Sequence, residues 1–431
     1  MGRGIIRIRM AVALAAVICL PTMGIASAQN FPLRVAADKR GFYVGAAVAA
    51  APLRNEEPYQ DTLRCEFNII VAENAFKWDA IHPAQGTYNF ADTDALVAFA
   101  EANHMRIRGH TLVWHNQLPG WLTGGNFTRD EVIGLLRDHI STVMGRYKGR
   151  VLAWDVVNEA IDDATGGLRT SSFWYQRIGP DYVRMAFEFA READPAAKLY
   201  YNDYNAEDMG QKADTVYALL RDLKAGGVPV DGVGWQMHVV NGFRITDANR
   251  QNAERLQSLG LEMMVTELDV RARLPLSAAD QQTQAESYGE VADFCLRQPN
   301  CKALVMWGFT DRYSWVPGVF AGMGDALIFD ATYQPKPAYQ SLQAVLQAGL
   351  IFTPRITGAE RSRKQLIITG QEFADGAELF LNGVRQKKVV NDAVNSATVL
   401  IARKAGKVIQ SGDRLQVRNP DGALSNEWIF P

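Results

Sequence analysis

The sequence has 431 residues, 48% hydrophobic and 21% charged, enough for a large core and unlike a mainly disordered or collagen-like chain. A balance of 45 Lys and Arg against 47 Asp and Glu leaves a net charge of −2, far from that of a nucleic-acid binder. Six His without close His or Cys neighbours argue against a dedicated zinc site, so no metal and no cofactor is expected.

Residues 1–28 read as an export signal. Arg3, Arg7 and Arg9 make a positive start, residues 10–20 form an apolar run too short to span a bilayer comfortably, and Ala26-Ser27-Ala28 is a small-x-small cleavage pattern. The mature chain then begins near Gln29, in the periplasm or outside the cell, with no membrane attachment after cleavage. Export places Cys65, Cys295 and Cys301 in an oxidising compartment. Cys295 and Cys301 bracket a short loop and are the expected disulfide pair. Cys65 precedes an apolar run and is expected to be a buried, inert thiol.

From about 40 to 347, short apolar runs alternate with longer stretches of helical period. The runs are 43–48, 69–72, 106–113, 151–157, 199–201, 232–237, 263–268 and 304–307. The helical candidates are 93–103, 129–147, 182–192, 213–224, 248–259 and 279–296, with 337–350 closing the series. Eight strand–helix units predict an α/β fold, a (β/α)8 barrel over 29–350. No Gly-rich phosphate fingerprint follows the first run, which argues against a dinucleotide-binding sheet.

After Thr353-Pro354 the helical period ends. Short runs at 366–369, 377–381, 398–401 and 415–417 are separated by Asp375-Gly376, Asn382-Gly383, Ser411-Gly412 and Asp421-Gly422. These predict a small Ig-like β-sandwich over 354–431. Its few aromatics do not make a sugar platform, which favours a packed core and a spacer role.

Active sites of such barrels lie at the C-terminal ends of the strands. Those ends carry Glu73-Asn74 with Lys77-Trp78, His110 with Trp114-His115 and Gln117, Asn158-Glu159, Asn202-Asp203-Tyr204-Asn205, Gln236 and His238, Glu267 and Asp269, and Trp307 with Asp311 and Trp315. One polar strand end is ordinary, because strands must stop; seven in succession exceed what solvation requires. Two facing carboxylates with indole faces and directed amides are what glycoside hydrolysis needs. Bland readings hold elsewhere. Trp78 and Trp154 suit the core, Asp155 the anchoring of its strand end and Asp203 the backbone of its loop. His82, His104 and His139 read as surface or core residues, and His115 can be structural.

The chain resembles glycoside hydrolase family 10, the endo-β-1,4-xylanases. The runs that carry the resemblance are 73–78 (ENAFKW), 108–115 (RGHTLVWH), 154–159 (WDVVNE), 201–205 (YNDYN), 236–238 (QMH), 266–269 (TELD) and 306–308 (MWG), in register over roughly residues 35 to 347. The resemblance implies Glu159 as general acid/base, Glu267 as nucleophile and Asn158 on the sugar 2-hydroxyl. It implies His238, with Asp269 behind it, as the orienter of Glu267. His110, Trp114, Gln236, Trp307 and Trp315 then line the subsite at the cleaved bond. Glu73, Asn74, Lys77 and Gln117 bind the next sugar toward the non-reducing end, and Tyr204 stacks on the leaving group. A disulfide at Cys295–Cys301 also matches the family. Asn116 stands where the family pattern has Ser, and Val71-Ala72 where Thr-Pro is common. These departures touch subsite affinity, not the reaction. The tail resembles IPT/TIG-type modules, which implies nothing catalytic.

The expected activity is therefore retaining hydrolysis of xylan and xylo-oligosaccharides by a monomer with no nucleic-acid partner. Strands four and seven put the carboxylates roughly 6 Å apart, nearer the retaining spacing of about 5–5.5 Å than the middle of the inverting range. Another β-glycanase such as a cellulase, or a barrel that binds polysaccharide without cleaving it, are the alternatives.

Overall fold

A computed structural model describes residues 31–431; the export signal read at 1–28 lies outside them. Strands β1 (Tyr43–Val48), β2 (Ile69–Ala72), β3 (Arg106–Val113), β4 (Ala153–Asn158), β5 (Lys198–Asp203) and β6 (Gly232–Trp235) pair in sequence and in parallel. After the short β7 (His238–Val240), β8 (Glu262–Arg273) pairs with β6, and β9 (Cys301–Met306) pairs with both β8 and β1. The ring closes as an eight-stranded (β/α)8 barrel, the predicted α/β class. The strands read as nearly continuous apolar runs because the barrel interior covers one face and the helices cover the other.

Inside the barrel lie Ala47, Ile69, Val71, Ala153, Tyr200, Met264, Ala303 and Val305, capped by Trp307. Alternate residues on the same strands face the helices: on β5, Tyr200 belongs to the interior and Tyr201 to the helix-side core. The helices start where their sequences say they should. Thr128, Thr246 and Ser277 each close a capping box at the head of Arg129–Arg146, Asp247–Ser258 and Ala278–Arg297. Among the described residues no helix is long and apolar enough to cross a membrane.

The elements depart from the sequence reading at several points. The strand expected over 263–268 runs on to Arg273, because β7 and the two-residue β10 (Met323–Gly324) pair with its far end. The strand expected over 232–237 stops at Trp235, and Met237 turns the chain at φ +59°. A helix at Leu33–Arg40 precedes the first expected element, entered from Pro32 and closed by left-handed Gly41.

Cys295 and Cys301 are joined, tying the end of helix Ala278–Arg297 to the start of β9. Cys65 lies on helix Glu57–Glu66 and is half-buried rather than fully buried; desolvation, helped by the neighbouring Glu66 carboxyl group, pushes the thiol up to about 12.

The tail forms two four-stranded antiparallel sheets. One orders β11 (Arg355–Ser362), β12 (Gln365–Gln371), β16 (Val399–Ala402) and β15 (Val389–Asn391). The other orders β14 (Val384–Arg385), β13 (Glu378–Leu381), β17 (Arg414–Arg418) and β18 (Trp428–Ile429). Leu366, Ile368, Leu379, Leu400, Leu415 and Val417 fill the space between them. The sandwich rests on the end of the barrel where the strands begin. Phe352 stacks on Phe31 with ring centroids 4.1 Å apart, Glu372 pairs with Lys39 and accepts the Thr353 N–H, and Ala374 and Ala397 join the barrel's outer core.

Candidate active site

At the opposite end of the barrel the strand ends enclose a cavity of about 620 Å³. Glu73, Asn74, Lys77, His110, Trp114, Gln117, Asn158, Glu159, Tyr204, Gln236, His238, Glu267, Trp307 and Trp315 all line it, so every catalytic and substrate-binding candidate is brought together. His115 and Asn116 line it too. Arg271, Phe320 and Asn205 complete the wall; of these, sequence reasoning gave no place to Arg271 and Phe320. Arg271 stands four positions after Glu267 along β8, an even spacing that puts both on one face of the strand and is legible in the sequence.

Two carboxylates sit in different settings. Glu159 follows β4 with its backbone at φ +56°, in the left-handed region. Its Oε1 accepts from Asn158 Nδ2 at 3.1 Å and Gln236 Nε2 at 2.9 Å, and its Oε2 from Trp114 Nε1 at 2.7 Å. All three donors are uncharged. Glu267, on β8, accepts from Asn202 Nδ2 at 2.7 Å and meets His238 Nε2 at 3.2 Å. His238 Nδ1 lies 2.7 Å from Asp269 Oδ2, which also accepts the Trp315 indole N–H at 2.8 Å. Asp269 is thus behind His238, outside the cavity wall.

Burial pushes against charge on this second pair, and the partners outweigh it. Burial alone lowers His238, but the Asp269 and Glu267 carboxylates raise it to about 10. Burial likewise raises Glu267, yet the His238 hydrogen bond and the charges of His110, His238 and Arg108 hold it at about 2. Glu267 is therefore a carboxylate, hydrogen-bonded by an imidazolium, at any ordinary pH.

A chain of amides joins the two carboxylates. Asn202 Nδ2 also donates to Asn158 Oδ1 at 2.8 Å, while Thr266 Oγ1 donates to Asn202 Oδ1 at 2.7 Å and so fixes the amide's orientation. Gly234 on β6 makes room for this hub: a Cβ there would lie 2.2 Å from Asn202 Oδ1. Below it, buried Arg108 pairs with Asp155, whose other oxygen is 2.9 Å from His110 Nδ1. Asp155 thus holds Arg108 and His110 as well as anchoring its strand.

On the remaining wall, Lys77 Nζ bonds Asn74 Oδ1 at 2.9 Å and lies between the Trp114 and Trp307 rings, 4.9 and 5.7 Å from their centroids. Burial lowers Lys77 and raises Glu73. It also lowers His115 to about 4, leaving a neutral ring with Nδ1 3.9 Å from Glu159 Oε2. Trp78 and Trp154 are buried, and His82 and His139 stack with Trp78 away from the cavity, while His104 is on the surface. Among the described residues no cluster of His, Cys, Asp and Glu could hold a metal ion.

The arrangement offers one carboxylate held well below the usual range by its His238 partner, a second carboxyl group among neutral donors, and three indoles in the same cavity. Residues 32–345 match the profile of glycosyl hydrolase family 10. Endo-1,4-beta-xylanase B of Thermotoga neapolitana is 43% identical over 335 residues, covering 77% of this chain and 95% of the relative. The solved structure of native xylanase 10B from Thermotoga maritima superposes with a TM-score of 0.72 at 48% identity, covering 73% of this chain and 98% of that one. Xylanase 10B from Thermotoga petrophila, solved in complex with xylobiose, gives the same TM-score and identity over 74% of this chain and 98% of its own.

Proposed function

The chain belongs to glycosyl hydrolase family 10, and from that premise we propose that it hydrolyses internal β-1,4 bonds of xylan and xylo-oligosaccharides with retention at the anomeric carbon. In the first step a Glu267 carboxylate oxygen attacks the anomeric carbon. The bond to the leaving oxygen breaks, and that oxygen takes the proton of Glu159. In the second step water attacks the same carbon, gives its proton to Glu159 and releases Glu267. The xylosyl unit between Trp114, Trp307 and Trp315 is held over Glu267, with Asn158 and Gln236 reaching its hydroxyls. Tyr204 carries the first sugar of the leaving group.

The observation that carries this reading is the pairing of Glu267 with His238 and Asp269. A nucleophile has to be ionised and aimed, and an imidazolium held from behind by a second carboxylate does both. Proton NMR of the first product, taken before mutarotation, tests the stereochemistry: a β-anomer signal is expected at early time. A dominant α signal would overturn the covalent route and the role of Glu267.

We further propose that the sandwich over 354–431 plays no part in the chemistry, since no residue of it lines the cavity. A chain ending at residue 353 keeps the Phe31–Phe352 stack, where a fully buried Phe is worth about 1.5–3 kcal/mol. It should retain most activity on soluble xylo-oligosaccharides. A shortened chain with an unchanged near-UV spectrum but no activity would refute the division.

A further inference from the structure

Lys212 breaks two rules of placement. It sits in the first turn of helix Gln211–Ala225, where a cation opposes the helix dipole, and it is only 8% exposed. Its Nζ lies 2.6 Å from Asp163 Oδ1, 2.9 Å from Asp203 Oδ1 and 3.6 Å from the centroid of the Tyr204 ring. The partners come from two stretches of backbone: Asp163 from the loop after β4, and the adjacent Asp203 and Tyr204 from the end of β5.

Asp203 extends the connection behind the cavity wall. The oxygen that meets Lys212 also accepts the Tyr204 N–H at 2.9 Å, and the other accepts the Tyr201 hydroxyl. That hydroxyl in turn accepts the Ala160 N–H at 3.1 Å. Ala160 follows Glu159, whose left-handed backbone needs holding, and the Glu159 N–H donates to Asn202 O at 2.9 Å on the other side. Tyr201 and Asp203 share the helix-side face of β5, and neither they nor Lys212 line the cavity. The two groups that line the leaving side of the cavity, Glu159 and Tyr204, are thereby tied to the buried carboxyl group of Asp203 and the buried amine of Lys212.

We propose that Lys212, with Asp203 and Tyr201, is a positioning residue that sets the Glu159 backbone and the Tyr204 ring relative to each other, and so governs the step in which the leaving sugar is protonated and released. The inference rests on the roles proposed above for Glu159 and Tyr204.

The test compares kcat/KM, which reports only the first irreversible step, on two substrates. Xylotetraose needs both the proton and the Tyr204 platform. 2,4-Dinitrophenyl β-xylobioside has an acidic phenol as leaving group and needs neither. Lys212→Met should lower kcat/KM on xylotetraose by about 10- to 100-fold, the scale of a small misplacement of a catalytic group, and leave the aryl glycoside nearly unchanged. Equal losses on both substrates, or no loss on xylotetraose, overturn the proposal. If Lys212→Met does not fold, Tyr201→Phe decides by the same ratio, since it removes only the hydroxyl between Asp203 and the Ala160 amide. Glu159→Ala is the control. If it shows no split between the substrates, the acid/base reading has failed; if it does and Lys212→Met does not, only the positioning inference has failed.

Discussion

Glu267→Ala should cut xylan hydrolysis by a factor on the order of 10⁵ to 10⁶, the scale on which enzymes lose rate when their nucleophile is removed. On the mechanism proposed above, the change takes away the atom that bonds to the anomeric carbon and leaves its surroundings in place. His238 keeps Asp269, and Asn202 keeps Asn158 and Thr266, so no buried charge is stranded. Stability should therefore fall modestly, and by less in acid. A carboxylate held at about 2 stabilises the fold above the ordinary carboxylate range and loses that contribution as pH falls toward 2. The gap in Tm between wild type and variant should narrow on acidification. Azide supplied to this variant with an activated aryl xylobioside should yield the α-xylosyl azide by a single displacement. Retention of more than about one hundredth of wild-type kcat/KM, or a β-azide product, is incompatible with the assignment.

Glu159→Ala should behave differently, with the loss depending on the leaving group. General acid–base catalysis is worth roughly 10²- to 10⁴-fold, and xylan, whose leaving sugar is a poor acid, should show the full loss in its first step. A dinitrophenyl glycoside should form the glycosyl-enzyme at a rate close to wild type and then stall, because water loses its base. Azide needs no base, so it should restore turnover and give the β-xylosyl azide. Equal losses in kcat/KM on xylo-oligosaccharides and the activated aryl glycoside would assign Glu159 elsewhere. The opposite anomers expected from azide in the two variants separate the roles of the two carboxylates directly.

The barrel was legible because its strands are buried on both faces, and an apolar run that stops abruptly at a polar group marks a strand end. The end of β2, where Ala72 meets Glu73, is legible to the residue for that reason. The far half of β8 was not. Arg271 and Arg273 look like loop residues, and only pairing with β7 and β10 makes them strand. In the tail, β11 was missed because it is an edge strand: Ile356 is its one buried residue, so no alternation reaches the sequence. The residues lining the cavity were readable from strand ends. The residues behind it were less so. Asn202 stood in a quoted motif without its role as a hub, and Lys212 carried no local signal, since its partners lie 49 and 9 positions away in the chain.

The seating of the sandwich on the strand-start end of the barrel has a practical side. Lys364, Lys387, Lys388, Lys404 and Lys407 are all exposed on the sandwich. A bead or wall grafted through those amines would hold the molecule by its base, with the mouth of the cavity turned outward to polymer arriving from solution. The fold thus comes with a handle at one end and a cutting edge at the other.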